Sequence, residues 1–160
     1  MSTTLAVGEQ APEFNLPVGE ATSLSLSQLK GKNVVLYFYP KDDTPGCTKE
    51  AIAFTQAKAQ FDAANTQVIG VSADSLKSHE KFAGKHDLAI TLGADEEKQT
   101  IEAYGVWVEK NMYGRKYMGI ERATYLIDAE GKIAEIWRKV KVPGHVDKVL
   151  AAAQGLSGGR

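Results

Sequence analysis

Three apolar runs along the chain predict strands that are buried on both faces. Residues 34–39 read Val-Val-Leu-Tyr-Phe-Tyr, residues 68–71 read Val-Ile-Gly-Val, and residues 122–127 end in Ala-Thr-Tyr-Leu-Ile. Unbroken runs of β-branched and aromatic residues are typical of strands inside a parallel or mixed sheet. The turn signal Asp-Ala-Glu-Gly at 128–131 leads into 133–142, so the third run is predicted to form a hairpin with that segment.

Segments with a helical period separate these strands, and the clearest one follows Pro45. Apolar positions recur there every three or four residues, at Cys47, Ala51, Phe54, Ala57, Phe61 and Ala64. Such a stripe predicts one helix over residues 46–64, and Pro45 suits its first turn because an N–H at that position would have no partner. Further helices are expected over 75–85, 96–104 and 145–153, with a short strand over 90–92.

The order β-α-β-α-β-α-β-β-α predicts an α/β chain. Crossover helices followed by a hairpin and a last helix are typical of a thioredoxin-like fold, with a mixed central sheet flanked by helices. Because 160 residues with 43% hydrophobic content suit one core, residues 1–160 are expected to form a single domain. Residues 155–160 are expected to form a flexible tail, and residues 1–33 to be irregular or weakly β.

Charge and cysteine content exclude several classes of function. The net charge of −1 argues against a protein that binds nucleic acid, which normally carries a basic excess. A single cysteine excludes an intramolecular disulfide and any multi-thiolate metal site. No apolar run is long enough for a membrane span, and the first residues do not resemble a signal peptide. The cytoplasm is therefore the expected location, since a lone thiol stays reduced there.

The lone Cys47 closes a loop that reads Pro-Lys-Asp-Asp-Thr-Pro-Gly-Cys and follows the first buried strand. A free cysteine is often only a small buried hydrophobe. In the first turn of a helix, however, unpaired N–H groups favour an anion such as a thiolate. Thr44 could donate its hydroxyl to the sulfur or to a bound oxygen, Pro40 could exclude water, and Gly46 could admit a small substrate. Each of these residues also has an ordinary structural role, with Thr44 as a helix cap, Pro40 as a strand terminator and Gly46 as a turn residue.

Residues 37–50, Tyr-Phe-Tyr-Pro-Lys-Asp-Asp-Thr-Pro-Gly-Cys-Thr-Lys-Glu, resemble the active-site loop of the peroxiredoxins, with its pattern Pro-x-x-x-Thr-x-x-Cys. The form Asp-x-Thr-Pro-Gly-Cys-Thr is similar to that of the bacterioferritin comigratory protein, or peroxiredoxin Q, subfamily. Segments 68–74, 104–107, 113–122 and 137–142 also resemble this subfamily, in the same order along the chain.

The resemblance implies a peroxidase that reduces hydrogen peroxide and organic hydroperoxides through a sulfenic acid, with no cofactor or metal. Cys47 matches the peroxidatic cysteine, Thr44 the hydroxyl donor and Pro40 the shielding proline. Arg122 matches the active-site arginine, and Glu50 matches a position that orients it. In isolation, Arg122 would be interpreted as a surface arginine at the start of a strand.

The chain departs from many members of this subfamily because it has no resolving cysteine. Ile52 stands at one position where that cysteine occurs, and residues 82–85 cover the other. A one-cysteine mechanism is therefore expected, with an external thiol as reductant, either thioredoxin or glutathione with glutaredoxin. Whether Ile52 is native or engineered is left open.

Other functions and states stay open on the sequence alone. A redox sensor read by a partner protein would have the same loop, and a scaffold that only binds partners is a further alternative. A monomer is expected, with a weak homodimer as the other possibility. His79 and His86 lie seven residues apart on one predicted helix and are interpreted as part of its solvated face rather than as metal ligands.

Overall fold

A computed structural model describes residues 5–19 and 21–158, with side chains as far as residue 156. The described residues form nine strands: β1 Asn15–Gly19, β2 Thr22–Ser25, β3 Asn33–Phe38, β4 Thr66–Ser72, β5 Thr91–Ala94, β6 Trp107–Met112, β7 Arg115–Ile120, β8 Ala123–Ile127 and β9 Ile133–Trp137. Their helices are α1 Pro45–Gln56, α2 Lys58–Ala63, α3 Leu76–His86, α4 Gln99–Ala103 and α5 His145–Gly158, with a 3-10 helix at Leu26–Leu29.

Strand β3 lies at the centre of a five-stranded sheet of order β5-β4-β3-β8-β9. It pairs in parallel with β4 and antiparallel with β8. All six residues of β3 are buried, as its unbroken apolar run predicts. Strands β8 and β9 form the predicted hairpin. The predicted thioredoxin-like fold with a mixed central sheet is confirmed.

Successive side chains of β3 point into two separate cores, because residues alternate across a strand. Val35 and Tyr37 join the core covered by α1, α2, α3 and α5. Leu36 and Phe38 join the core covered by the N-terminal segment and α4. None of the described helices is long and apolar enough to cross a membrane.

Three predicted elements have different bounds in the structure. The helix predicted over 46–64 is interrupted at Ala57, whose ψ of 1° leaves the helical region, although its N–H still bonds Ala53. Helix α4 is shorter than predicted, because Lys98 before it adopts a left-handed φ of 63°. The strand predicted to reach residue 142 ends at Trp137, and Lys139 beyond it has a φ of 50°.

Two short hairpins were not predicted, one formed by β1 and β2 and one by β6 and β7. The β6–β7 hairpin mixes polar and apolar residues and most of it is partly or fully exposed, so it lacks the apolar run that marks the central strands. Its turn is made by Tyr113 and Gly114, both with positive φ, which is the conformation of a tight hairpin turn. At the other end, α5 continues to Gly158, so residues 155–158 are helical, and residues 159–160 of the expected tail lie outside the described residues.

Gly70 on β4 sits directly against the buried ring of Tyr37. A Cβ at Gly70 would lie 2.7 Å from both Cζ and the hydroxyl oxygen of that ring. We therefore expect Gly70→Ala to lower the free energy of unfolding by about 1–3 kcal/mol through overpacking. Urea unfolding followed by tryptophan fluorescence measures this change.

The matched control is Gly84→Ala on α3. A Cβ there meets nothing within 4 Å, and alanine is a better helix former than glycine. Its free energy of unfolding should rise by about 0.5–1 kcal/mol. A Gly70→Ala protein as stable as the unaltered chain would contradict the packing of Tyr37 described above.

Candidate active site

Cys47 lies in the first turn of α1, at the edge of the sheet where β3 and β4 end. Thr44 before the helix has extended backbone angles, and Pro45 occupies the first helical position. The Cys47 side chain is 2% exposed, which places the sulfur under the surface of the loop. First-turn N–H groups have no partner within the helix and favour negative charge beside them, so this position suits a thiolate.

Arg122 directly precedes β8, the strand that pairs antiparallel with β3, and reaches Cys47 from there. Ala123, the first residue of β8, pairs with Phe38 at the end of β3, so Arg122 lies just beyond that end. Its Nη2 donates a hydrogen bond to Cys47 Sγ at 3.3 Å, and its Nη1 donates to Glu50 Oε1 at 2.7 Å. One guanidinium therefore bridges the sulfur and a carboxyl group that both belong to α1.

Glu50 is fully buried, one helical turn after Cys47. Burial raises the pKa of Glu50 to about 7, although Arg122 acts to lower it. Its Oε2 has no hydrogen-bond partner among the described residues. Burial lowers the pKa of Arg122, but Glu50 and Cys47 outweigh it and leave that pKa raised. The arginine thus carries a fixed positive charge beside the sulfur.

Gly46 leaves room for this guanidinium. A Cβ at Gly46 would lie 3.2 Å from Arg122 Nη2, closer than ordinary van der Waals contact. The absence of a side chain at Gly46 therefore lets Arg122 approach the start of α1.

Thr44 and Pro40 lie in the same loop but do not bond the sulfur in this structure. The Thr44 hydroxyl donates to the Lys41 carbonyl oxygen at 2.9 Å, so it meets a bound molecule as an acceptor unless it rotates. Pro40 is half-buried directly after β3 and has no N–H to offer.

A second cation near the site was missed by the sequence analysis. Burial and then Arg122 lower the pKa of Lys110 on β6, whereas Cys47 and Glu121 act to raise it. Lys110 belongs to the β6–β7 hairpin, and no apolar pattern marked that segment as part of the site. Lys110 also lies outside the segments that resemble the subfamily, so the resemblance gave no signal for it.

The interpretation of His79 as part of a solvated helix face is wrong. His79 is 3% exposed and bonds Asp42 and the Gly93 carbonyl group. His86 on the same helix bonds Asp43 at 2.9 Å. No group of three His, Cys, Asp or Glu residues in the described chain could hold a metal ion.

Comparisons with known proteins show the family to which the chain belongs. Residues 7–136 match the model of the AhpC/TSA family. The chain belongs to that family. A relative in Coxiella burnetii is 53% identical over 147 residues, covering 92% of this chain and 97% of the relative. Peroxiredoxin Bcp of Bacillus subtilis is 46% identical over 154 residues, covering 96% and 98%. The resemblance to peroxiredoxins is therefore confirmed, and the chain is a peroxiredoxin enzyme.

Solved structures of proteins with similar sequences also share the fold of this chain. The bacterioferritin comigratory protein of Xanthomonas campestris, described for its alkyl peroxide reduction activity, aligns with a TM-score of 0.85 at 43% identity, covering 90% of this chain and 92% of that one. A cysteine-to-serine mutant of peroxiredoxin Q from Xylella fastidiosa aligns with a TM-score of 0.88 at 38% identity, covering 93% and 95%.

The buried Glu50 carboxyl group should make stability depend on pH. Between its ordinary pKa near 4.5 and the folded value of about 7, the native state holds a proton that the unfolded chain has lost. Stability should therefore fall as pH rises through this window, by at most about 1.4 kcal/mol per pH unit. Glu50→Gln should remove this part of the slope in urea unfolding measured from about pH 5 to about pH 7.

Glu80→Gln, on the exposed surface of α3, is the control and should leave the slope unchanged. An equal slope in the unaltered protein and in Glu50→Gln would show that Glu50 is ionised throughout this range.

Proposed function

We propose that this peroxiredoxin works by a one-cysteine mechanism, reducing hydrogen peroxide and organic hydroperoxides at Cys47 with an external thiol as reductant. The observation that carries the proposal is the pair of hydrogen bonds from Arg122 to Cys47 and Glu50. A cation held on a buried sulfur favours its thiolate, which is the nucleophilic form.

Peroxide reduction needs charge stabilisation at two moments. The Cys47 thiolate attacks one peroxide oxygen, an S–O bond forms, and the O–O bond breaks. The leaving oxygen takes the electron pair and then a proton, giving water or an alcohol, and the sulfur becomes a sulfenic acid. Arg122, whose Nη2 lies 3.3 Å from the sulfur, stabilises the thiolate before attack and the developing oxyanion afterwards.

The remaining loop residues have supporting roles in this proposal. Glu50 orients the guanidinium of Arg122, and Gly46 leaves space for that group and for a small substrate. Thr44 offers its hydroxyl to the bound peroxide once it releases the Lys41 carbonyl group. Pro40 excludes water without adding a competing donor.

Recycling must be intermolecular, because the chain contains one cysteine. An external thiol condenses with the sulfenic acid, releases water and leaves a mixed disulfide, and a second thiol then frees Cys47. Structures of the Xanthomonas campestris relative include serine replacements of two different cysteines, whereas this chain has Ile52 and no second thiol. Thioredoxin, and glutathione with glutaredoxin, are both proposed reductants.

Three broader proposals accompany this function. One central sheet with a core on each face supports residues 1–160 as a single domain. Cytoplasmic location follows from the need to keep a lone thiol reduced. We propose a monomer, with a weak homodimer as the alternative.

The alternative function is a non-enzymatic redox sensor. In that case peroxide would oxidise Cys47 equally fast, but no thiol would support catalytic turnover.

Removing the Arg122 guanidinium should slow the first oxidation of Cys47. We expect Arg122→Ala to lower the second-order rate by on the order of 10²–10³-fold, since one lost transition-state donor typically has that effect. Thr44→Val should also lower the rate. Stopped-flow tryptophan fluorescence of the reduced protein mixed with hydrogen peroxide measures it.

Arg138→Ala is the matched control, because Arg138 bonds Glu121 and the Gly105 carbonyl group rather than the sulfur. It should react at the rate of the unaltered protein. If Arg122→Ala reacted as fast as the unaltered protein, the catalytic role assigned to Arg122 would be contradicted.

Peroxide in the absence of a thiol should oxidise Cys47 beyond the sulfenic acid. Intact mass should show successive additions of oxygen to the monomer, because no second thiol in the chain can trap the first product. With a small thiol present, a mixed disulfide at Cys47 should appear and prevent that damage. Cys47→Ser should show neither product. A disulfide-linked homodimer as the main product would instead identify a second Cys47 as the resolving thiol.

A further inference from the structure

A buried polar cluster beneath the active-site loop has no role in the mechanism above. Its centre is Asp42, in the loop between β3 and α1, and His79, on α3. Asp42 is 7% exposed and His79 is 3% exposed, so both side chains are largely shielded from bulk water. Groups of this kind are stable inside a protein only when they are paired.

The ring of His79 has a hydrogen-bond acceptor at each nitrogen. Nδ1 lies 2.7 Å from Asp42 Oδ2, and Nε2 lies 3.0 Å from the Gly93 carbonyl oxygen. A carbonyl oxygen only accepts, and so does an ionised carboxylate. A neutral histidine has a hydrogen on one nitrogen alone, so with Asp42 ionised these two bonds together need a hydrogen on each ring nitrogen. The Tyr39 hydroxyl lies 3.4 Å from Nδ1 but donates to Asp42 at 2.6 Å.

Asp42 has the donors that its ionised form needs. The Tyr39 hydroxyl donates to Oδ1 at 2.6 Å, and the Ser78 hydroxyl donates to Oδ2 at 2.7 Å, beside His79. Burial acts to raise the pKa of Asp42, but the bonds from His79, Tyr39 and Ser78 outweigh it and lower that pKa. These contacts favour the ionised form of Asp42, which then accepts from His79.

The other charged groups around this pair hold the same loop. Asp74 Oδ2 accepts the backbone N–H of Asp42 at 2.8 Å. Asp43, which has a left-handed φ of 58°, bonds Lys85 at 2.8 Å and His86 at 2.9 Å on the exposed side. Helix α3 thus holds two consecutive loop residues, one through a buried ion pair and one through exposed ion pairs.

This anchoring affects the reaction because it helps to set the distance between Cys47 Sγ and Arg122 Nη2. Asp42 lies five residues before Cys47, and the path between them determines where α1 begins. The 3.3 Å contact between Cys47 Sγ and Arg122 Nη2 depends on that starting point, because the backbone of Arg122 adjoins β8 rather than α1. Displacements of about 1 Å can cost on the order of 10²-fold in rate.

We propose that His79, as an imidazolium paired with Asp42, is a positioning residue for peroxide reduction that holds the active-site loop so that Cys47 meets Arg122. The inference rests on the proposed function of Cys47, but it concerns a residue that touches neither the sulfur nor the substrate.

The protonation state is measured on the unaltered, reduced protein. Nitrogen-15 NMR at neutral pH should show both ring nitrogens of His79 carrying hydrogens, with the signal identified by its loss in His79→Gln. A neutral ring with one bare nitrogen would overturn the proposal, whatever the kinetics of any variant.

The positioning role is tested by the rate of the first oxidation of Cys47 by hydrogen peroxide. His79→Gln keeps one donor but loses the charge and the second bond, and it should slow the rate by on the order of 10–10²-fold. Lys77→Gln, at an exposed position of the same helix, is the matched control and should stay within about two-fold. Equal rates in His79→Gln and the unaltered protein would overturn the proposal.

A double-mutant cycle separates the pair from a general loss of stability. Asp42→Asn and Asp42→Asn with His79→Gln are measured in the same way, with folding checked by near-ultraviolet circular dichroism. If the two residues act as one unit, the double variant is no slower than the slower single variant. Fully additive effects on the rate would contradict the pair. If His79→Gln does not fold, the rate of Asp42→Asn is the kinetic test, because asparagine has the same size as aspartate.

Failure of the proposed function would look different. In that case the unaltered protein itself would not react with peroxide at Cys47. A fast unaltered protein together with an equally fast His79→Gln variant would reject only the positioning role.

Discussion

The contact on which the active site depends is the bridge that the Arg122 guanidinium makes between Cys47 and Glu50. Its 3.3 Å and 2.7 Å hydrogen bonds join the start of β8 to the first turns of α1, across 75 and 72 residues of sequence. The planar fork of arginine suits this double contact, whereas lysine would offer a single point charge. Without the bridge, α1 would bury a thiol and a carboxyl group one helical turn apart with no cation bonded to either.

Buried charge is a recurring feature around this site, and each charged group has a partner. Arg122 faces Glu50, and His79 faces Asp42. Removing one member of such a pair leaves the other uncompensated in a medium of low polarity, which is strongly unfavourable. The two pairs lie at opposite ends of the segment from Asp42 to Glu50, so the peroxide-reactive turn is held on both sides by polar side-chain bonds rather than by apolar packing alone.

Sequence patterns predicted the central elements because those elements are apolar. The run over residues 34–39 and the stripe from Cys47 to Ala64 both reflect burial, and both entered the core as expected, although Ala57 interrupts the helix. The β6–β7 hairpin was missed because its strands mix polar and apolar residues without a clear period, and its stability comes from pairing and from the left-handed turn at Tyr113 and Gly114. His79 was placed on the wrong face for a related reason. A histidine gives no sign in sequence of whether an aspartate 37 residues away will pair with it.

What the sequence by itself determined is the chemistry that the chain can contain. One cysteine means one sulfenic acid and no internal disulfide, and the motif from Pro40 to Cys47 places that cysteine at a helix start, where first-turn N–H groups have no partner within the helix. Only the tertiary structure decided which charges surround it. Arg122 meets Cys47 because β8 pairs antiparallel with β3 in a register that sets Ala123 opposite Phe38. Because β3 and β8 are far apart in sequence, neither strand on its own shows which residues of the other will lie opposite.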